Sequence, residues 1–167
     1  MRDELTKVDI AKMKEELEYR TQVLQPKLME EVKRARAYGD LSENFEYKAA
    51  KQEKNRNDSR IRYLERMIKS AVIISTDSAE DVVGLFDRVV LFLEDDEEEQ
   101  EVRFVTTLRQ NPLEGLISKE SPLGKAVIGH KVGERVTVQV NESYSYGAVI
   151  RSIQKGEDDD SLEISKY

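Results

Sequence analysis

The stretch Arg34-Ala35-Arg36-Ala37-Tyr38-Gly39-Asp40-Leu41-Ser42-Glu43-Asn44-Phe45-Glu46-Tyr47 lies between two long charged segments with helical periodicity. Gly39 is the break. Upstream, the pattern reads as helix back to about Asp9. Downstream, Asp40 and Ser42 are good N-cap residue types for a second helix running to about Ala71. Two antiparallel helices joined by so short a connection form a hairpin. Asp40, Glu43 and Glu46, three residues apart, would then lie together at its end. Exposed acids at the end of a thin rod are poorly placed to stabilise a fold. They are well placed to be delivered to a partner.

The flanking segments support the hairpin. Ile10, Met13, Leu17, Leu24, Leu28 and Val32 recur at spacings of 3, 4 or 7, as one helix face requires. Tyr47, Ala50, Ile61, Leu64, Ile68 and Ala71 form the matching series on the return helix. They fall on a and d heptad positions, with Lys54 and Asn57 in the two middle slots, which predicts an antiparallel two-helix coiled coil over residues 1–75. A polar a or d residue costs stability and fixes register. Each arm would be roughly 45 Å long at 1.5 Å per residue. Pro26 interrupts the first helix, predicting a kink or break there, with Gln25 pushed toward extended geometry.

The charge is uneven. The chain carries a net charge of −7, divided into +3 over residues 1–75 and −10 over residues 76–167. Such a split predicts two domains with different partners. Between Lys48 and Lys69 the bases Lys48, Lys51, Lys54, Arg56, Arg60, Arg62, Arg66 and Lys69 face only three acids. That run reads either as a phosphate-facing patch or as the solvated surface of a helical hairpin. There is no Cys, which excludes disulfides and thiolate metal sites. The first residues lack the apolar core of a signal peptide, and no apolar run is long enough to span a bilayer. A cytoplasmic monomer with no membrane partner is expected.

After the polar residues 75–78 the period changes from 3.6 to 2. Residues 87–93 read as a strand, the acidic run at 95–99 as its turn, and residues 102–108 as the return strand. Ser121-Pro122 is a sound helix start, with Gly129 as the stop. Residues 135–140 and 146–153 read as two more strands. The fold class is therefore α+β: a helical hairpin, then a domain over 76–167 with an antiparallel sheet packed on one short helix. The acidic tail from Gly156 reads as disordered.

Little of this sequence suits catalysis within the chain. Its one histidine, His130, reads as a surface turn residue without a nearby nucleophile, and no phosphate-binding glycine loop is present. The tip carboxylates remain. Two acids are too few to hold Mg²⁺ tightly, yet they suffice where a second protein supplies the other ligands. The competing reading makes Asp40 a helix cap and Asp40-Leu-Ser-Glu43 a capping box.

Residues 35–51, Ala-Arg-Ala-Tyr-Gly-Asp-Leu-Ser-Glu-Asn-Phe-Glu-Tyr-Lys-Ala-Ala-Lys, closely resemble the tip motif of bacterial transcript-cleavage factors of the GreA/GreB family. Residues 115–133, Gly-Leu-Ile-Ser-Lys-Glu-Ser-Pro-Leu-Gly-Lys-Ala-Val-Ile-Gly-His-Lys-Val-Gly, resemble that family's C-terminal signature. The resemblance implies a transcription elongation factor whose C-terminal, FKBP-like domain binds RNA polymerase while its coiled coil enters the secondary channel. Matching the family's two acids, Asp40 and Glu43 would help to hold a Mg²⁺ shared with the polymerase active centre. No cofactor would bind the factor alone. The polymerase, not the factor, would then cut the 3′ end of the backtracked RNA. Ser42, Asn44, Phe45 and Tyr47 match neighbouring tip positions. Lys48, Lys51 and Arg56 would face RNA or the channel, and Glu120, Ser121 and Pro122 match the polymerase-binding loop. Phe45 stands where the family usually has Ala. With the acidic loop and tail, it leaves open a divergent paralogue that occupies the channel and modulates or inhibits polymerase without stimulating cleavage.

Overall fold

The computed structural model describes residues 2–39 and 44–166. The chain divides into two units, one built on Ile10–Val72 and the other on Glu4–Asp9 together with Ile73–Lys166.

The first unit is a helical hairpin. Helix α1 (Lys7–Tyr19) runs through a wide turn at Arg20–Leu24 into α2 (Gln25–Arg36), and α3 (Phe45–Ser70) returns beside α2. Pro26 causes the wide turn. It cannot donate to the carbonyl of Gln22, and its ring would strike that carbonyl in a regular helix. The backbone responds with a π-helical turn, in which the Gln25 N–H donates to the Arg20 carbonyl five residues back. Gln25 keeps helical angles (φ −59°, ψ −49°), so the expected break with an extended Gln25 does not occur.

Leu28, Ala35, Ile61 and Leu64 are buried in this unit. Between them lies a polar layer. The Arg60 guanidinium, 3% exposed, forks onto Glu16 at 2.7 and 3.2 Å. Arg20 donates to Glu16 at 2.8 Å and to the Asn57 side-chain Oδ1 at 2.8 Å. Burial pushes the Glu16 carboxyl up, but the bonds from Arg60 and Arg20 outweigh it and hold the group below the usual carboxylate range. A desolvated cluster of this kind contributes little net stability, and it penalises any slip that would leave Arg60 unpaired. These partners give the two arms opposite directions, since Glu16 meets Arg60 while Arg36 meets Tyr47.

In the second unit, Thr6 and Asp9 cap the start of α1 reciprocally: the Thr6 N–H donates to Asp9 (2.9 Å) and the Asp9 N–H to the Thr6 hydroxyl (3.2 Å). β1 (Glu4–Leu5) precedes that cap, and Ile74, just after β2 (Val72–Ile73), donates to the Leu5 carbonyl at 2.8 Å. The main sheet contains β3 (Arg88–Leu93), β4 (Glu98–Val105), β5 (Leu116–Ser118), β6 (Arg135–Gln139) and β7 (Ser145–Gln154), in the order β5-β4-β3-β7-β6. Helix α4 (Pro122–Val127) packs beside β6. Alternate residues of each strand, among them Val89, Leu91, Val102, Phe104, Val136, Val138, Ala148 and Ile150, close on Val127 of α4 to form the core.

Three features differ from the sequence reading. β5 runs parallel to β4, so the sheet is mixed rather than antiparallel. β4 begins at Glu98 and ends at Val105, which puts Glu98 and Glu99 in the strand rather than the turn. The tail after Gly156 is ordered. Leu162 packs against Leu85, Phe86, Val105 and Leu116, and Ser165 donates to the Leu108 carbonyl at 2.6 Å. One of its acids is an internal partner rather than solvated charge: Asp158 pairs with the buried Arg109.

Candidate functional site: the hairpin turn and the loop before α4

The hairpin turn is built from two unequal halves. On the α2 side the chain tightens, Tyr38 N–H donating to the Ala35 carbonyl at 3.2 Å. Gly39 then takes φ +115°, a conformation that L side chains rarely adopt. On the α3 side the cap is Asn44, not Asp40 or Ser42 as the sequence suggested. Its Oδ1 accepts from the Tyr47 N–H at 3.0 Å, and its Nδ2 donates to the Ala35 carbonyl at 2.7 Å. One side chain thus satisfies an orphan donor at the start of α3 and adds a second hydrogen bond to a carbonyl at the end of α2. Asp40, Ser42 and Glu43 lie outside the described residues. Among the described residues no group of three or more His, Asp or Glu is placed to hold a metal ion.

Behind Asn44 the surface is aromatic and basic. Phe45 is 79% exposed, with the Lys48 ammonium 5.7 Å from its ring centre. Tyr47 lies under the Arg36 guanidinium (5.4 Å) and near Lys51 (6.0 Å). A bond from Arg36 and the charge of Lys51 hold the Tyr47 phenol below its ordinary range. Further along, much of the basic run is spent inside the hairpin. Lys54 pairs with Asp58 at 2.8 Å, Arg56 with Glu53 at 3.4 Å, and Arg60 is the buried partner of Glu16. The phosphate-facing reading therefore narrows to the bases nearest the turn. Lys48 and Lys51 form no ion pair among the described residues.

The second element is the loop from Ser118 to Pro122. Ser121 caps α4, its hydroxyl accepting from the Gly124 N–H at 3.0 Å, and Pro122 occupies the first helical position. Lys119 bridges Glu120 (3.1 Å) and Glu4. Burial lowers the Lys119 ammonium's pKa, yet the two carboxylates more than offset that and leave it raised. Glu120 and Pro122 remain exposed. Sequence reasoning missed Gly124, which sets the loop's closeness to the helix. A Cβ there would sit 2.6 Å from the Ser118 carbonyl oxygen and 2.7 Å from that of Lys119. Both are backbone atoms, so the loop itself must move. Gly124→Ala is expected to cost about 1–3 kcal/mol as overpacking and to weaken any partner binding through Glu120–Pro122. Urea unfolding and a polymerase pull-down of the variant check the two effects.

Comparison with known proteins identifies the chain. The N-terminal model for transcription elongation factors of the GreA/GreB type matches residues 4–73, and the C-terminal GreA/GreB model matches residues 77–155. Transcription elongation factor GreA of Geobacillus kaustophilus is 44% identical over 136 residues, covering 81% of this chain and 86% of the relative. GreA of Bacillus subtilis is 43% identical over 129 residues, covering 77% and 82%. The solved structure of GreA factor homolog 1 (Gfh1) of Thermus thermophilus is 27% identical, covers 93% of this chain and 100% of its own, and gives a TM-score of 0.43. With two domain models spanning nearly all of residues 4–155 and relatives above 40% identity over most of the chain, the protein belongs to the GreA/GreB family of transcription elongation factors.

Proposed function

We propose that this elongation factor binds RNA polymerase in the cytoplasm as a monomer, inserts its helical hairpin into the secondary channel, and stimulates cleavage of the backtracked nascent RNA 3′ end so that elongation resumes. The observation that carries the reading is the Asn44 clasp. With Asn44 joining the two helix ends, α3 already has its cap and does not call on Asp40 for one. Two carboxylates form a donor set suited to Mg²⁺ but insufficient to retain it alone, so polymerase supplies the remaining ligands. When bound between the two proteins, the ion supplies Lewis-acid stabilisation of the scissile phosphate and lowers the pKa of a water. The factor's own groups do the rest. Asp40 and Glu43 orient that water by accepting its hydrogen bonds, Ser42 and Tyr47 support the turn, and Lys48 and Lys51 draw in RNA phosphates. Glu120, Ser121 and Pro122 dock the second domain on polymerase. The factor alone cuts nothing.

A second reading draws on the exposed Phe45 ring: a channel-occupying modulator that slows polymerase without cleavage. One assay separates them. Polymerase stalled in a backtracked state is given the factor and Mg²⁺, and the RNA is followed on a gel. Shortening of the RNA followed by resumed extension supports the first reading; slower nucleotide addition without shortening supports the second. A factor that fails to bind the stalled complex overturns both.

A further inference from the structure

The Phe45 side chain is unexplained by the fold. It stands at the first position of α3, where Ala would be the better helix former. It joins neither of the hydrophobic clusters of the second unit, and at 79% exposure the ring gains little from burial. Its position is nonetheless fixed. Asn44, the preceding residue, is tied to both helices, so the ring rides on an anchored helical turn.

The surroundings say what such a ring would meet. Lys48 lies 5.7 Å from the ring centre, and Arg36, Tyr47 and Lys51 form a second aromatic–cation group on the same turn. An apolar protein pocket would have to bury Lys48 along with the ring, at a desolvation cost that no acid among the described residues offsets. A nucleotide offers both complements, a π-face for Phe45 and a phosphate for Lys48. Rings flanked by cations are how proteins hold unpaired bases without reading their sequence.

We infer that Phe45 is a stacking platform for an unpaired base of the extruded RNA, with Lys48 on the adjoining phosphate. The inference rests on the proposed entry of the hairpin into the channel, but not on cleavage. Stacking of this kind contributes independently of base identity and makes Phe45 a positioning residue: it holds the 3′ segment against the hairpin turn.

A base-deletion cycle tests it. Backtracked complexes are assembled on synthetic scaffolds whose extruded nucleotide carries either a base or an abasic sugar. Half-saturating concentrations of wild-type factor, Phe45→Ala, Phe45→Trp and Phe45→Leu are then measured by competition with a fluorescent factor. With the base present, Phe45→Ala and Phe45→Leu should bind about fivefold or more weakly and Phe45→Trp at least as well as wild type. With the abasic sugar the four should converge. An equal loss on both scaffolds would place Phe45 against polymerase rather than RNA and overturn the inference, as would no loss on either. RNA shortening is scored in the same tubes. If the cycle shows coupling but no RNA is cut, the cleavage reading fails while the stacking inference stands. Cutting without coupling overturns the stacking inference and leaves the cleavage reading in place.

Discussion

Replacing Arg109 with Leu is expected to destabilise the second unit by about 3–5 kcal/mol, because it strands two buried or half-buried carboxylates without their counter-charge. Arg109 is fully buried, and each face of its guanidinium fork is spoken for. Nε donates to Asp9 at 2.8 Å, and one terminal nitrogen pairs with Asp158. The other donates to the carbonyls of Asp159 (3.2 Å) and Leu162 (3.1 Å). Thr6 braces both acids, its N–H donating to Asp9 and its hydroxyl to Asp158. The ring of Phe86 lies 5.0 Å from the guanidinium carbon. Phe86 holds φ +68°, a conformation that costs a bulky residue on the order of 1 kcal/mol and persists only when its surroundings over-determine it. The cluster therefore ties the α1 cap, the β4–β5 connection and the C-terminal tail at one point. Thermal unfolding should show the loss as a fall in Tm of more than about 12 °C. Arg109→Leu combined with Asp9→Asn and Asp158→Asn should recover part of it, since no charge is then left bare. A single variant that melts within about 2 °C of wild type would mean that the cluster is not a stability determinant.

That cluster also marks where the sequence stopped being readable. Local signals survived: Ser121-Pro122 does start a helix, Gly39 does break one, and the period change near residue 75 does separate helical from strand patterning. Long-range pairing did not. A run such as Gly156-Glu157-Asp158-Asp159-Asp160 reads locally as solvated charge, and nothing in it reveals that Arg109, 49 residues earlier, needs Asp158 inside the protein. β5 is equally silent, since three residues cannot display an alternation and its parallel partner lies across an irregular connection. In the hairpin, the heptad pattern found Asn57 on the seam but assigned Arg60 to the surface, because a buried arginine is expected only when its Glu16 partner on the other arm is already known.

At the tip, sequence order was more informative than local propensity. Propensity alone offered Asp40 and Ser42 as caps; the backbone chose Asn44, whose amide accepts from α3 and donates to α2. Carboxylate chemistry offered the tip acids as Mg²⁺ ligands, and the resemblance singled out Asp40 and Glu43 among them.

Asp40→Asn should reduce factor-stimulated cleavage by about 100-fold or more while leaving the hairpin intact. The substitution removes the negative charge and keeps the shape. A carboxylate that helps to hold a divalent ion at developing negative charge accounts for several kcal/mol of transition-state stabilisation, and an amide oxygen recovers little of it. Weakened metal affinity would show as partial recovery at raised Mg²⁺. Stability is the control that separates this role from capping. Asn is as good a cap as Asp, so Asp40→Ala is the sharper variant: were Asp40 the cap, it would cost about 1 kcal/mol. With Asn44 in that role, Asp40→Ala should melt like wild type, and Asn44→Ala should carry the loss instead. Glu43→Gln is expected to match Asp40→Asn in cleavage and in melting. If Asp40→Asn shortens backtracked RNA at the wild-type rate, the metal role is wrong, and the hairpin serves to occupy the channel rather than to complete an active centre.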